Sequence, residues 1–297
     1  MRALLAPLSP GHRRWKRFLA DLPLDPDTLP RPLPAPGPDD FIICGPPRSG
    51  TTLLAAALFQ PPHVVTVMEP WDGMRLPPAE LFASLRQEIV DTGTLRRGRL
   101  DLEALARDGA VKWCPEGSQR PRLDVESDFK LGVKWPAYWR YLDLLPNTKF
   151  LVCVRDPVEV ISSFKRQRGR LRLGLQYETA FNKRLNDDLR RRTRSRRLRR
   201  ILLLETIARS IAPQVDRSRV MTVRYDRWFS EPDRLLAEIG AFLALDLRQN
   251  PARVSSSRFA VSLTSAEEQM VREYARTADF LASKVGPSAP VNADSQR

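Results

Sequence analysis

Short apolar runs alternate along this chain with segments of helical composition, and this alternation constrains the fold more than any other feature. The runs are rich in β-branched and aromatic residues, which is typical of strands that are buried on both faces. They comprise residues 41–44, 64–68, 129–134, 149–154 and 220–225. Because helical segments separate them, we expect parallel strands in one sheet with helices on both sides. The sequence therefore predicts a three-layer α/β fold with a central parallel sheet.

Composition divides the chain into four parts. Residues 21–38 are rich in proline and cannot form a regular helix or a central strand, so residues 1–38 are predicted to form a basic and proline-rich arm. The α/β domain follows over residues 39–250. We expect residues 251–284 to form a loop and a helix packed on that domain, and residues 285–297 to form a disordered tail.

The helical segments are predicted from apolar spacing and from the residues that end them. They are residues 51–59, two pieces within 79–108, 137–145, 158–168, one long segment 177–211, 232–243 and 266–284. The long segment contains the stretch Arg190 to Arg200, in which only Thr193, Ser195 and Leu198 interrupt the arginines. We therefore expect one helix with a strongly basic face.

Cysteine usage and apolar runs bear on the compartment. Cys44, Cys114 and Cys153 are too few and too dispersed for a disulfide framework. No window has eighteen uninterrupted apolar residues, and prolines break the N-terminal apolar run, so neither a membrane span nor a secretion signal is predicted. These observations favour the cytoplasm, with a possible peripheral contact between the basic N-terminal arm and an anionic membrane.

A glycine-containing loop between the first strand and the first helix is the most informative local feature. Backbone N–H groups converge on an anion at such a strand-to-helix turn, and Gly45 and Gly50 have the spacing of the P-loop pattern G-x-x-x-x-G-K-[ST]. Thr51 occupies the lysine position of that pattern, and no strand-ending aspartate is evident for Mg²⁺. This favours a P-loop-like loop for a ligand with one 5'-phosphate group and a transferable cap. The phosphate ligands predicted in this loop are Arg48, Ser49, Gly50, Thr51 and Thr52.

Two motifs resemble those of the sulfotransferase family. The run PPRSGTTLL looks like the family's 5'-phosphosulfate loop, and CVRDP followed by ISSF is similar to its 3'-phosphate segment. Arg155 at a strand end and Ser163 two turns into the next helix can converge on one phosphate. The sequence Val223 to Asp226, which includes Tyr225, resembles a later segment of the family. The resemblance covers residues 40 to 247 and adds Tyr225 to the residues that are expected to bind the donor.

This resemblance implies a reaction and a co-substrate. The donor would be 3'-phosphoadenylyl sulfate (PAPS), and a sulfuryl group would pass to a hydroxyl or amine of an unidentified glycan, lipid, peptide or small metabolite, with no metal required. Arg48 would stabilise the departing 5'-phosphate. Glu69 ends the second strand and matches the glutamate base of the tyrosylprotein and some glycan sulfotransferases, whereas the segment Val133 to Pro136 keeps Lys134 but lacks the histidine of the small-molecule branch. Lys134 would assist the leaving group.

Charge suggests anionic partners without selecting one. The chain has 49 Lys and Arg residues against 35 Asp and Glu, a formal net charge of +14. The stretch Arg190 to Arg200 could guide an acidic glycan or lipid, or its arginines could be solvated or paired with Asp187, Asp188 and Glu205. No specific binding of nucleic acid is expected, because few aromatic residues lie nearby.

Two alternative functions are compatible with the same sequence features. A P-loop kinase or nucleotide triphosphatase, and a noncatalytic protein that binds anions or nucleic acid, are the alternative functions. His12 and His63 are expected to be structural or exposed, and Ser255 to Arg258 could add donor contacts. The oligomeric state is not indicated.

Overall fold

The structure is a computed structural model of the chain, and it describes residues 24–70, 72–95, 122–167, 169–176, 179–247 and 263–283. Five strands are present in this part of the chain: β1 (Phe41–Cys44), β2 (Val64–Met68), β3 (Lys130–Lys134), β4 (Lys149–Val154) and β5 (Val220–Arg224). All pairs are parallel, and the order in the sheet is β2-β3-β1-β4-β5. The prediction of a parallel sheet is confirmed.

Helices connect and cover the strands. They are α1 (Thr51–Ala57), α2 (Pro78–Thr92), α3 (Pro157–Arg166), α4 (Ala180–Arg192), α5 (Arg196–Ile211), α6 (Arg227–Ser230), α7 (Pro232–Leu243), α8 (Ser265–Tyr274) and α9 (Arg276–Ser283). A 3₁₀ turn (Pro136–Tyr141) follows β3 in place of the short helix predicted there. The C-terminal pair α8 and α9 packs on α3 and α5.

Each face of the sheet has its own apolar core, as alternation along β1 shows. Ile42 and Cys44 belong to one buried cluster, which includes residues of α2, α3 and α5. Phe41 and Ile43 belong to the other, which includes residues of α1 and α7. Successive side chains of a strand point to opposite faces, so helices cover the sheet on both sides. The predicted three-layer α/β architecture is therefore confirmed.

The stretch Arg190 to Arg200 does not form one basic helix face, so that prediction is wrong. Helix α4 ends at Arg192 and α5 begins at Arg196. Ser195 caps α5, because its side chain accepts a hydrogen bond of 3.3 Å from the backbone N–H of Leu198. The predicted C-terminal helix is likewise two helices that meet at Ala275.

Some predictions lie outside the described residues. These are the arm up to residue 23, the second helical piece before residue 108, Cys114, His12, Ser255 to Arg258 and the tail from residue 285. Within the described ranges, no helix combines the length and the apolar character that a membrane span needs. Cys44 and Cys153 are buried free thiols, and burial raises the pKa of both. The compartment stays a prediction.

The sheet order determines where a ligand site would form. β1 is central, and the chain reaches β3 on one side of it and β4 on the other. Ligands of open α/β sheets bind at the carboxyl ends of the strands, where the strand order reverses. Gly45, Glu69, Arg155 and Tyr225 each follow directly after a strand, and Lys134 is the last residue of β3. The sequence-predicted site residues therefore share one edge of the sheet.

Candidate functional site

The loop between β1 and α1 packs closely against its surroundings. Gly45 and Gly50 have φ angles of 139° and 102°, which side-chain-bearing residues rarely adopt. A Cβ at Gly45 would overlap the carbonyl oxygen of Cys153, and a Cβ at Gly50 would lie 2.5 Å from a ring carbon of Tyr225. Both glycines are thus required by backbone conformation and by close approach of their neighbours.

The hydroxyl residues of the loop have different positions. Ser49 is buried, and its Oγ donates a hydrogen bond of 2.6 Å to the carbonyl oxygen of Pro46, so it stabilises the loop itself. Thr51 and Thr52 form the start of α1, and Thr51 is buried whereas Thr52 is partly exposed. The first N–H groups of a helix have no partner within the helix, which makes this turn suitable for an anion.

Arg48 joins the loop to α3. Its Nε donates a hydrogen bond of 3.0 Å to Oγ of Ser163, and its carbonyl oxygen accepts one of 3.3 Å from Nη1 of Arg155. Part of Arg48 is open to solvent, yet desolvation of its guanidinium group and the positive charges of Arg155 and Arg166 lower its pKa. The predicted 5'-phosphate loop and the predicted 3'-phosphate pair are therefore in direct contact.

Arg155 is held by contacts on several sides. Its Nε donates a hydrogen bond of 2.6 Å to Glu159, one helical turn later, and its guanidinium group stacks 4.0 Å from the centre of the Tyr225 ring. Asp156 caps α3 by accepting from the backbone N–H groups of Val158 and Glu159 at 2.8 and 3.1 Å. These contacts fix the guanidinium plane at the start of α3.

Glu69 and Lys134 form an ion pair at the ends of adjacent strands. Met68 is the register partner of Lys134, and Nζ of Lys134 lies 2.7 Å from Oε1 of Glu69. The side chains are 3% (Lys134) and 17% (Glu69) exposed. The backbone N–H of Glu69 also donates to the carbonyl oxygen of Lys134 at 2.8 Å. The pair places a proton acceptor and a cationic donor side by side.

Two residues of this edge have strained backbones. In the described ranges the non-glycine residues with positive φ are Arg48 (73°), Glu69 (45°) and Ala244 (55°). Ala244 ends α7, where a left-handed residue is common. The other two lie on the candidate site, and strain of this kind concentrates at functional sites.

The structure adds two residues to the candidate site that the sequence analysis did not identify. Glu159 contacts Arg155, and Arg166 lies close enough to Arg48 to affect its pKa. The spacing of four residues from Arg155 to Glu159 was the available signal for that contact. His63 precedes β2 at the opposite edge of the sheet, where it contacts Glu126 at 2.7 Å.

Comparison with known proteins identifies the family. A family model described as "Sulfotransferase family" matches residues 39–249. The chain belongs to the sulfotransferase family. The family that the sequence motifs resemble is thereby confirmed.

The sulfotransferase is also similar to individual proteins. It is 29% identical over 150 residues to nodulation protein NoeE of Sinorhizobium fredii (strain NBRC 101917 / NGR234), a match that covers 46% of this chain and 33% of that protein. The match thus spans about a third of the length of that curated relative. A sulfotransferase from Alicyclobacillus acidocaldarius has a TM-score of 0.46 and 16% identity, covering 84% of this chain and 95% of that one. The sulfotransferase domain from the curacin biosynthetic pathway has a TM-score of 0.41 and 22% identity, covering 75% and 77%.

Proposed function

We propose that this sulfotransferase uses PAPS as its donor and transfers the sulfuryl group to a hydroxyl or amine of its acceptor. The observation that carries the proposal is the contact of Arg48 with both Ser163 and Arg155. One continuous cationic site thus extends from the strand-to-helix loop to α3. A nucleotide that carries phosphate groups at both its 5' and 3' positions matches a site with two such ends.

Each end of this site has suitable hydrogen-bond donors for one phosphate group. At the loop end, Arg48 and the N–H groups that begin α1, with Thr51 and Thr52, would hold the 5'-phosphosulfate. At the other end, Arg155 and Ser163 would hold the 3'-phosphate. Tyr225 would act through Arg155, because its ring supports the guanidinium plane at 4.0 Å.

The charges also fit an anionic ligand. The positive charges of Arg155 and Arg166 act on Arg48 and lower its pKa, in addition to desolvation. A ligand with several negative charges would be attracted by these guanidinium groups, in addition to forming hydrogen bonds with them.

In the transfer step, a bond forms between the acceptor oxygen or nitrogen and sulfur while the bond from sulfur to the 5'-phosphate oxygen breaks. Glu69 would take the proton that the acceptor loses, and its place at the end of β2 suits this role. Lys134 and Arg48 would offset the negative charge that develops on the departing phosphate. The step balances without a metal ion.

A thermal-shift experiment tests the donor. We expect adenosine 3',5'-bisphosphate without Mg²⁺, at about a hundred times its Kd, to stabilise the protein by about 2.7 kcal/mol, which raises Tm by about 4–6 °C. Arg155→Gln should remove most of this shift, whereas Arg234→Gln, an exposed arginine on α7, should keep it. Stabilisation by ATP with Mg²⁺ but not by the bisphosphate would indicate a kinase or nucleotide triphosphatase instead.

A transfer experiment tests catalysis. Labelled PAPS is incubated with the protein and a panel of sugars, phenols and amines, and release of labelled sulfate to water is measured in parallel. We expect transfer to at least one acceptor or release faster than the uncatalysed rate. Binding of the bisphosphate with neither reaction would indicate a noncatalytic binding protein.

A further inference from the structure

A group of basic side chains lies beside the candidate site and is only partly neutralised. Elsewhere many arginines are paired: Arg227 binds Glu231 and Glu238, and Arg190 binds Asp187. The group comes from the last turn of α3, the turn at residues 171–173, the first turn of α5 and the residue just before the cap of α5. We call it the basic surface, and it consists of Lys165, Arg166, Arg172, Arg194, Arg196 and Arg197.

Specific contacts bring these segments together. Arg200 on α5 is buried and donates from Nε and Nη2 to the carbonyl oxygen of Arg172 at 2.9 and 2.7 Å. Glu267 on α8 lies between Lys165 and Arg197 of the basic surface. Its carboxylate oxygens are 2.9 Å from Nζ of Lys165 and 3.4 Å from Nε of Arg197. The turn, α3 and α5 therefore form one surface with a fixed arrangement.

The surface has a strong excess of positive charge. Arg172, Arg194 and Arg196 are exposed, and they form no ion pair within the described part of the chain. Burial and the positive charges of Arg172, Arg197 and Arg196 lower the pKa of Arg200 beneath them, although Glu267 opposes this effect. A set of like charges this dense attracts polyanions and raises their local concentration.

The basic surface is continuous with the site of transfer. Arg166 follows Ser163 by three residues on α3, a rise of about 4.5 Å along the helix. Its charge acts on Arg48 in the loop. An acceptor that extends from the site along the last turn of α3 would therefore meet the basic surface directly.

We propose that the basic surface binds the acceptor and that the acceptor is an acidic polysaccharide. Its carboxylate or sulfate groups would lie on the surface while one hydroxyl of the same chain enters the site. A polysaccharide of this class provides repeated negative charges and acceptor hydroxyls in one molecule. This proposal rests on the proposed function, because it names the substrate class of the same site.

The chemistry of the surface favours this partner over other polyanions. Its six side chains are all charged, and Leu171 and Leu173 of the turn pack against the core instead of projecting as apolar anchors. A membrane-binding surface usually combines basic and inserted apolar residues. Proteins that bind single-stranded nucleic acid present aromatic side chains for stacking, and the basic surface contains none.

A binding experiment tests the proposal with a fluorescently labelled, sulfated oligosaccharide at about 0.15 M salt. The triple variant Arg172→Gln, Arg194→Gln, Arg196→Gln should bind it about tenfold more weakly than the wild type, which corresponds to modest losses at three exposed charges. The single variant Arg194→Gln should bind the oligosaccharide about twofold more weakly than the wild type, and it replaces the triple variant in the test if the triple variant does not fold. Both should keep the thermal shift by adenosine 3',5'-bisphosphate.

The matched control removes three exposed arginines elsewhere, at positions 217, 234 and 276, and should change the affinity less than twofold. Equal losses in both triple variants would overturn the proposal, because net charge alone would then explain binding. Tighter binding to phosphatidylglycerol vesicles or to oligo-dT than to the oligosaccharide would also overturn it. Failure of the wild type to bind the bisphosphate would instead contradict the proposed donor.

Discussion

Replacing Glu69 with glutamine should separate proton transfer from nucleotide binding. The amide has nearly the same shape and still accepts a hydrogen bond from Lys134, but it cannot take a proton from the acceptor. A positioned general base contributes about 10²–10⁴ to a rate, so we expect turnover to fall about a thousandfold. The affinity for adenosine 3',5'-bisphosphate should change less than about threefold, because Glu69 is not among the groups that would hold either phosphate.

The same change should reduce stability by a predictable amount. The side chain of Lys134 is 3% exposed, and its ammonium group lies 2.7 Å from the carboxylate that is lost. Leaving a buried charge unpaired costs about 3–5 kcal/mol, and the remaining amide contact should limit the loss to about 2 kcal/mol. For a chain of 297 residues, this loss corresponds to a fall in Tm of about 3–4 °C.

Two assays and one control test this reasoning. Steady-state transfer of labelled sulfate measures turnover, and thermal denaturation with and without the bisphosphate measures stability and binding. Glu80→Gln removes an exposed carboxylate from the first turn of α2 and should leave turnover within about twofold. If Glu69→Gln kept turnover within tenfold of the wild type, Glu69 would not be the base. A parallel loss of bisphosphate affinity would show that Glu69 acts in binding.

Three further perturbations have defined outcomes. Gly50→Ala should lower Tm more than Gly169→Ala. Both glycines have positive φ, but only a Cβ at position 50 would lie 2.5 Å from a ring carbon, that of Tyr225. Equal shifts in Tm would show that backbone strain alone matters. Arg155→Lys should weaken the binding of adenosine 3',5'-bisphosphate by about 10- to 100-fold and that of AMP by much less, as measured by titration calorimetry. Equal losses for both ligands would contradict its place at the 3'-phosphate. A hydrogen bond from Lys165 lowers the pKa of Glu267 from its ordinary value of 4.5. The ionised Glu267 should therefore stabilise the fold fully above about pH 4.5, and this stabilisation should disappear as the pH falls through the lower pKa of the folded state. The Tm difference between wild type and Glu267→Gln should therefore shrink between pH 6 and pH 3, and a constant difference would contradict the ion pair.

Local composition was sufficient to predict where the strands lie in the sequence. The spans of β1, β2 and β4 agree with the sequence-based prediction because compact runs such as FIIC and KFLVCV end at a glycine or a charged residue. The break between α4 and α5 was missed because arginine continues across it and has good helix propensity. The cap at Ser195 was the available signal, and it was outweighed by the charged residues around it.

The site was predictable as a set of residues and less so as a geometry. Strand ends in a parallel sheet share one edge, so Arg48, Glu69 and Arg155 could be grouped from the chain alone. Strand order could not be derived, and the contact of Glu69 with Lys134 depends on β2 lying beside β3. The left-handed backbone of Glu69 depends on its tertiary surroundings. The catalytic and binding roles themselves stay predictions.

The double contact of Arg48 limits how the proposed donor site could be redesigned. A single residue connects the beginning of α1 with α3, through its side chain to Ser163 and through its carbonyl oxygen to Arg155. The two halves of the crevice are therefore not independent modules, and a substitution in one will alter the other. Redesign for a different nucleotide would require concerted changes in both segments, and the effects of single substitutions there should not add.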